Sequence, residues 1–199
     1  MLTYVKLFLR MVFLRMELSI RFAGSGGQGT ITAGVILARA ATLYENQYAT
    51  LFQNYGAAAR GGLASSEVKI SPHEIIFPNV TKPNILVAMS QEAVDAYIDD
   101  IEVDGIFIYD EGLVKEASLK SESIRKIGIQ ATNTAIDLGN KVVANIIILG
   151  FLVGLTEVVS KDTIEKAVLE VVPTKYKTIN LRALEVGFAI AEKVPEKTN

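Results

Sequence analysis

The sequence of 199 residues contains no cysteine and a single histidine, His73. Without cysteine the chain has no disulfide, no thiolate nucleophile and no ligands of its own for an iron-sulfur cluster or a thiolate zinc site. One histidine also argues against a histidine-based metal site. We therefore predict that this chain binds no metal by itself, and a reducing, cytoplasmic setting fits its composition.

A basic face and a long apolar run are missing as well. The formal net charge is -2, which gives no electrostatic case for nucleic acid, because phosphate binding requires clustered Lys and Arg. No stretch approaches the roughly 20 apolar residues that span a bilayer, so we predict no membrane span. Hydrophobic residues make up 50% and charged residues 21% of the chain, which is typical of a globular protein.

The length predicts one compact domain. We assign it to residues 16–195 and interpret 196–199 as a frayed tail. In residues 1–15, two arginines interrupt the apolar region and no small-residue cleavage site follows, which opposes a signal peptide. We interpret 1–15 as an extension upstream of a natural start at Met16; an amphipathic helix on a partner or membrane surface is the alternative.

Short apolar runs alternate with helical patterns along the chain up to Thr132, and the pattern is helical beyond it. One such helix, QEAVDAYIDDI, follows Ser90, which can act as its N-cap. This order predicts an α/β fold, with a mainly parallel Rossmann-like sheet, helices on both faces and a helical C-terminal part. The predicted strands are LSIRFA (18–23), YATLFQ (48–53), LASSEVKIS (63–71), EIIF (74–77), NILVAM (84–89) and GIFIYD (105–110).

The helical part contains VVANIIILGFLVGL, a run whose length is typical of a buried core or interface helix. Asn145 interrupts it. A buried amide without partners costs about 1–3 kcal/mol, so we expect Asn145 to bond to a nearby loop or across an interface. Val142, Leu149 and Leu152 flank it at helical spacing and are predicted to share its contact face.

The most informative stretch is AGSGGQG, which lies between a predicted strand and a predicted helix. Gly24, Gly26 and Gly29 satisfy G-x-G-x-x-G, and a helix N-terminus behind such a loop favours an anion. A dinucleotide site also requires an acid at the tip of the second strand. That strand ends in LFQNYG, and Glu45 precedes it, which opposes a stand-alone NAD-linked enzyme.

A P-loop is excluded because no lysine follows Gly29. The loop therefore fits a phosphate, a carboxylate or a partner's backbone; the alternative is that its glycines only let helix and strand pack closely. The candidate residues of this loop are Gly24, Ser25, Gly26, Gly27, Gln28 and Gly29.

A second candidate loop is YGAAARGG, residues 55–62. We expect it beside the glycine loop, on the reasoning that both follow adjacent strands at their carboxyl ends. Arg60 is its only cation, and we interpret it as an anion clamp or a contact with a neighbouring subunit, with a surface salt bridge as the alternative. The candidate residues are Tyr55, Gly56, Arg60, Gly61 and Gly62.

No catalytic set is evident in the sequence. Tyr55 and Asp110 could act in proton transfer, but we favour the simpler interpretation of a packed tyrosine and a strand-end cap. We predict no catalytic residue in this chain.

Several separated motifs together resemble the gamma subunits of 2-oxoacid:ferredoxin oxidoreductases, and most of all the 2-oxoglutarate type. They are GSGGQGTITAGVILARAA, YGAAARGGLASSEVKIS, PNILVAMSQEAVDAY, GIFIYDEGLV and LGNKVVANIIILG. Two segments depart from the family pattern: Ala57 and Ala58 stand where YGPEARGG is common, and Gln130-Ala131-Thr132 replaces proline-alanine-threonine. Pyruvate-type subunits usually have RGA in the second loop, and indolepyruvate-type subunits HGMxQRGG.

The resemblance implies a subunit of an enzyme that converts a 2-oxoacid and coenzyme A to an acyl-CoA and carbon dioxide, with electrons passed to ferredoxin. It implies thiamine diphosphate, Mg2+ and [4Fe-4S] clusters on other subunits, and none of these bound by this chain alone. The implied partners are the alpha and beta subunits, with a delta subunit in some forms. A pyruvate- or indolepyruvate-type paralogue, and an assembly module without contact to the active site, stay open as alternatives.

Overall fold

The computed structural model describes residues 17–56 and 61–195. Its strands are β1 Leu18–Ser25, β2 Tyr48–Tyr55, β3 Leu63–Ser71, β4 Ile85–Ala88, β5 Ile106–Asp110 and β6 Arg125–Ile129. Its α-helices are α1 Thr30–Arg39, α2 Gln91–Tyr97, α3 Ala131–Asp137, α4 Ala144–Thr156, α5 Lys161–Val171 and α6 Lys177–Ala191. A π-helical turn, Ala40–Tyr44, extends α1, and short 3-10 turns cover Ile98–Asp100, Lys141–Val143 and Thr174–Tyr176.

The six strands form one sheet in the order β2-β3-β1-β4-β5-β6. The pairs β1–β4, β4–β5 and β5–β6 are parallel, whereas β3 is antiparallel to both of its neighbours. The predicted mainly parallel α/β sheet is thus confirmed. Because β3 lies between β1 and β2, these two strands are not neighbours in the sheet. Helix α1 therefore does not connect two adjacent parallel strands.

Both faces of the sheet are covered. Helix α1 and helices α3 to α6 pack on one face in a large apolar core, and α2 packs on the other together with Val114 and Ile124. The central strand β4 is buried along its whole length, as expected for a parallel strand between two layers. Ser90 caps α2 as predicted, because its Oγ accepts a hydrogen bond of 3.2 Å from the Ala93 N–H.

Two strand assignments differ from the sequence prediction. The predicted strand EIIF is wrong, because residues 72–84 connect β3 to β4 without forming a strand, and Ile76 and Phe77 are 79% and 78% exposed. Prolines on both sides of that run remove ladder donors. Strand β6, with the sequence RKIGI, was not predicted. It lies at the sheet edge, where charged side chains are tolerated and the apolar signal is weak.

The C-terminal helices pack through glycine. Gly150 of α4 lies against the Leu184 carbonyl of α6, and Gly187 of α6 lies against the Ile147 carbonyl of α4, so the two backbones touch. Nearly every residue of α4 is buried within the chain's own core. The predicted contact face shared by Val142, Leu149 and Leu152 is wrong: Leu149 and Leu152 are fully buried, whereas Val142 precedes the helix and is 73% exposed.

Candidate functional site

The glycine loop is held in place by the side chain of Gln28. Its Oε1 accepts a hydrogen bond of 2.6 Å from the Ser25 N–H, and its Nε2 donates one of 2.7 Å to the Met89 carbonyl at the end of β4. The Gln28 N–H itself donates to the Ser25 carbonyl at 3.1 Å. One side chain therefore fixes the loop to the carboxyl ends of both β1 and β4.

Each glycine of the G-x-G-x-x-G pattern faces protein atoms. A Cβ added at Gly24 would lie 2.5 Å from Gln28 Oε1, and one added at Gly26 would lie 3.3 Å from the Gly62 carbonyl oxygen. A Cβ at Gly29 would collide with the side-chain amide of Asn145. Gly27 differs, because nothing lies within 4 Å of its Cβ position. The three pattern glycines therefore admit neighbouring protein groups, and Gly27 alone is open.

The second candidate loop lies beside the glycine loop, as the sequence predicted, but the reason for this placement differs from the predicted one. The Gly26 N–H donates a hydrogen bond of 2.7 Å to the Gly62 carbonyl, and the Gly56 N–H donates one of 2.7 Å to Leu63. The predicted reason, adjacent strands, is wrong, since β3 lies between β1 and β2. The loop is instead the hairpin connection that leads from β2 into β3.

Part of that hairpin loop, residues 57–60, lies outside the described residues, and this includes the candidate Arg60. Within the described part, Tyr55 is 68% exposed and its hydroxyl donates weakly to Gln53 Oε1 at 3.3 Å. Gly61 has a positive φ of 73°.

A pocket of about 680 Å³ opens beside the two loops, at the carboxyl end of β1 and β2. Helix α1 begins in its wall, and residues of α4, of α6 and of the turns that precede these two helices line the pocket as well. The lining residues are Gly26, Gly27, Gly29, Thr30, Ile31, Thr32, Tyr55, Ala64, Asn140, Val142, Val143, Asn145, Ile146, Val172, Pro173, Tyr176 and Asn180.

Asn145 lies in this wall and is 5% exposed. Its Nδ2 donates a hydrogen bond of 3.0 Å to the Gly29 carbonyl, the residue that caps α1. The expectation that this amide bonds to a nearby loop is confirmed. The contact joins the start of α1 to the start of α4, so the pocket wall is one connected structure.

Asp110 is fully buried at the end of β5 and acts as a cap. Its carboxylate accepts hydrogen bonds from the Thr132 N–H at 3.0 Å, from the Thr132 hydroxyl at 2.5 Å and from the Gly112 N–H at 3.0 Å. These bonds satisfy backbone N–H groups at the start of α3 and in the turn after β5. The geometry gives Asp110 a structural role.

Several pocket residues were not singled out in the sequence, among them Pro173, Tyr176 and Asn180. They come from the turn between α5 and α6 and from α6 itself, which the chain reaches more than 140 residues after the glycine loop. The sequence signal that could have indicated this wall is Asn180, a polar residue on the apolar side of an amphipathic helix. Its side chain is buried, with 7% exposed.

The family model for pyruvate ferredoxin/flavodoxin oxidoreductases matches residues 19–190, and the chain belongs to that family. Over 181 residues it is 45% identical to the 2-oxoglutarate synthase subunit KorC of Methanocaldococcus jannaschii, covering 90% of this chain and 97% of that protein. The predicted resemblance to gamma subunits is confirmed.

Two solved structures agree with this membership. The gamma subunit of a keto/oxoacid ferredoxin oxidoreductase from Geobacter sulfurreducens PCA is 40% identical with a TM-score of 0.78, covering 89% of this chain and 99% of that chain. The 2-oxoglutarate:ferredoxin oxidoreductase of Magnetococcus marinus, solved with 2-oxoglutarate, coenzyme A and succinyl-CoA bound, is 26% identical with a TM-score of 0.81. That match covers 91% of this chain and 32% of the longer one.

Across residues 17–56 and 61–195, no helix is both long and apolar enough to cross a membrane. The same residues contain no group of three or more His, Cys, Asp and Glu side chains arranged to hold a metal ion.

Proposed function

We propose that this chain is the gamma subunit of a thiamine diphosphate-dependent 2-oxoacid:ferredoxin oxidoreductase that acts on 2-oxoglutarate. The reaction takes 2-oxoglutarate, coenzyme A and two oxidised ferredoxins to succinyl-CoA, carbon dioxide, a proton and two reduced ferredoxins. The observation that carries the proposal is the match to a 2-oxoglutarate synthase subunit over nearly the full length of both chains.

The chain's own contribution is a surface at the carboxyl edge of its sheet. The glycine loop, the hairpin loop 55–62 and the pocket between them form the junction with the thiamine-binding subunits and close one side of the active site or of its coenzyme A channel. Exposed apolar side chains support this role, since Tyr55 and Val142 at the pocket are 68% and 73% exposed. Arg60 belongs to this junction as an anion clamp or intersubunit contact.

Thiamine diphosphate supplies the carbanion chemistry, and Mg2+ and [4Fe-4S] clusters serve the diphosphate and the electron transfer. We place all three on the alpha, beta or delta subunits, as the family resemblance implies; for the clusters, the absence of cysteine from this chain supports that placement. No residue of this chain is assigned a catalytic role. Ferredoxin and coenzyme A interact with it only through the complex, which we place in the cytoplasm.

A second candidate is an assembly module that does not line the active site. The protein contacts of Gly24, Gly26 and Gly29 favour it, because they give the loop a packing role without any ligand. The two candidates differ in turnover: an assembly module affects only complex formation, whereas a junction at the active site also affects the rate of the assembled enzyme.

Co-expression of the tagged chain with the alpha and beta subunits of its own organism tests the proposal. We expect all subunits to co-purify and the complex to reduce viologen only when 2-oxoglutarate and coenzyme A are both present. Pyruvate and indolepyruvate serve as comparison substrates. A faster reaction with either of these would replace 2-oxoglutarate as the substrate, and a chain that co-purifies with no thiamine-binding subunit would contradict the proposal.

A further inference from the structure

Strand β2 forms one edge of the sheet and pairs only with β3 among the described strands. The Gly56 N–H donates to the Leu63 carbonyl, which sets the alternation of this antiparallel ladder. Every second residue from Gly56 back to Tyr48 therefore bonds to β3. The residues between them direct their backbone N–H and C=O groups away from the sheet, where no described residue bonds to them: Ala49, Leu51, Gln53 and Tyr55.

The two edges of the sheet differ in their protection against further strand pairing. Strand β6, RKIGI, is five residues long and carries Arg125 and Lys126, and charged side chains protect an edge strand. Strand β2, YATLFQNY, has eight residues and contains no charge, no proline and no glycine. Long uncharged edges of this kind pair readily with another strand. We therefore expect β2, and not β6, to be covered by a further strand.

Exposed apolar side chains accompany the open edge of β2. Phe52 and Tyr48 point to the same face of the sheet and are 45% and 53% exposed. Ile76 and Phe77 are exposed as well, and the Thr50 hydroxyl donates a hydrogen bond of 3.4 Å to the carbonyl of the residue after Phe77, which holds that segment beside β2. Burial of these side chains would stabilise a contact along the strand.

We propose that β2 pairs with β2 of a second copy of this chain, antiparallel and about a two-fold axis at Phe52. The four outward residues are centred on Phe52, so an axis there pairs Ala49 with the partner's Tyr55 and Leu51 with the partner's Gln53. Every outward N–H and C=O group of both strands then has a partner. An axis at residue 51 or 53 would place an outward residue opposite a position beyond the end of β2.

The side chains of β2 favour a second copy over an unlike protein. A two-fold axis at Phe52 places this side chain directly opposite the partner's Phe52, and aromatic pairs across strands are stabilising. Like charges opposite each other would destabilise such a pairing, and β2 carries none. Contacts between unlike proteins commonly fix their register with complementary charges, which β2 does not offer. This inference goes beyond the proposed function and does not depend on it, because the contact forms in the isolated chain.

A single introduced cysteine tests the position of the axis, because the chain contains no other cysteine. In Phe52→Cys the two Cβ atoms lie about 4.5–5.5 Å apart, close enough for a disulfide after a small backbone shift. Tyr48→Cys is the matched control on the same strand and face, where eight residue steps of roughly 3.3 Å separate the two side chains by about 26 Å. We expect mild oxidation of the full chain to link Phe52→Cys into dimers at least about tenfold faster than Tyr48→Cys.

Sedimentation of the full chain measures the contact without a covalent bond. We expect a dimer for the wild type, and a dimer dissociation constant at least about tenfold higher for Phe52→Lys and for Phe52→Asp, because each places two like charges at the axis. An equal mixture of these two variants should recover the dimer, since the opposed charges then attract. Ile136→Lys, exposed on α3, is the control and should leave the dimer unchanged. Circular dichroism checks that each variant folds.

Several results would overturn the inference. They are a monomeric wild-type chain, equal crosslinking of the two cysteine variants, and a dimer that Phe52→Lys leaves intact. A full chain that dimerises only after residues 1–15 are removed would assign the edge to the chain's own N-terminal residues. A monomer whose assembly with the other subunits is weakened by Phe52→Lys but not by Ile136→Lys would assign the edge to a partner subunit. None of these results changes the substrate test of the proposed function, which is decided by co-purification and viologen reduction.

Discussion

Glycine is used in two different ways in this chain, in the loop after β1 and in the helix pair α4 and α6. In the helix pair, Gly150 and Gly187 each lie against a carbonyl of the facing helix, so two regular backbones touch. In the loop, Gly26 meets another loop and Gly29 meets a side chain, while Gly27 opens to the pocket. Both glycines of the helix pair therefore face backbone atoms, whereas the loop keeps one glycine, Gly27, with no atom near its Cβ position.

This difference shows what a glycine pattern alone can indicate. G-x-G-x-x-G signals close approach to the backbone but not the identity of the approaching group. Here the three pattern glycines are approached by Gln28, Gly62 and Asn145 of the same chain. The position open to a partner or ligand is Gly27, which the pattern leaves unspecified.

The largest effect is expected in the helix pair. Gly187→Ala places a Cβ against the Ile147 carbonyl and the Phe151 N–H, both backbone groups that cannot move independently. We expect a loss of about 3 kcal/mol in the free energy of unfolding, less the small gain in helix propensity. Urea unfolding of the full chain measures it. Glu185→Ala, exposed on the same helix, is the control, and an equal effect of both would show that α4 and α6 do not pack through glycine.

Gly29→Ala is expected to cost somewhat less, about 2 kcal/mol. Its φ of 76° is unfavourable for alanine, and the new Cβ would displace the Asn145 amide. Because that amide is a side chain and can move, Asn145→Ala in the same chain should recover part of the loss. Additive losses in the double variant, measured by urea unfolding, would contradict the contact between Gly29 and Asn145.

Arg60→Ala is expected to act on assembly and turnover. Loss of a charged hydrogen bond of about 1.5 kcal/mol corresponds to roughly tenfold weaker association with the other subunits. The dissociation constant and the rate of viologen reduction at saturating subunit concentration are measured together. Arg39→Ala is the control, because Arg39 is half exposed and pairs with Glu170 within the chain at 3.4 Å. Wild-type values for Arg60→Ala in both measurements would remove Arg60 from the junction.

The smallest effect on stability is expected at Gly27. Its φ of 94° strains an alanine, but nothing lies within 4 Å of the new Cβ. We expect Gly27→Ala to cost about 1 kcal/mol in urea unfolding, with no recovery from Asn145→Ala. A loss as large as that of Gly29→Ala would show that the loop is as closed at Gly27 as at Gly29, and the contrast between the two regions would disappear.

Local sequence patterns predicted the elements whose side chains alternate or repeat regularly. Strands β1, β4 and β5, the Ser90 cap of α2 and the buried run of α4 follow from such patterns. Strand β6 was missed because an edge strand with two basic residues and a glycine carries little apolar signal. Residues 74–77 were assigned wrongly because their exposure depends on tertiary structure and not on their own hydrophobicity.

The site was predictable only in part, because some of its residues are brought together by tertiary packing and not by a local sequence pattern. The glycine loop and the hairpin loop are short motifs that can be recognised locally. The pocket wall formed by Tyr176 and Asn180 depends on how α6 packs against α4, through contacts made by Gly150 and Gly187. No pattern within α6 itself specifies that placement, since it arises from the fit of two helices.

We expect this chain to complete a 2-oxoglutarate:ferredoxin oxidoreductase. The decisive measurement is to purify the other subunits without this chain and to add the purified chain back. We expect little 2-oxoglutarate-dependent viologen reduction before addition and a rise that saturates at one copy of this chain per thiamine-binding subunit pair. Full activity without the chain, or no activity after it has bound, would show that the chain does not complete this enzyme.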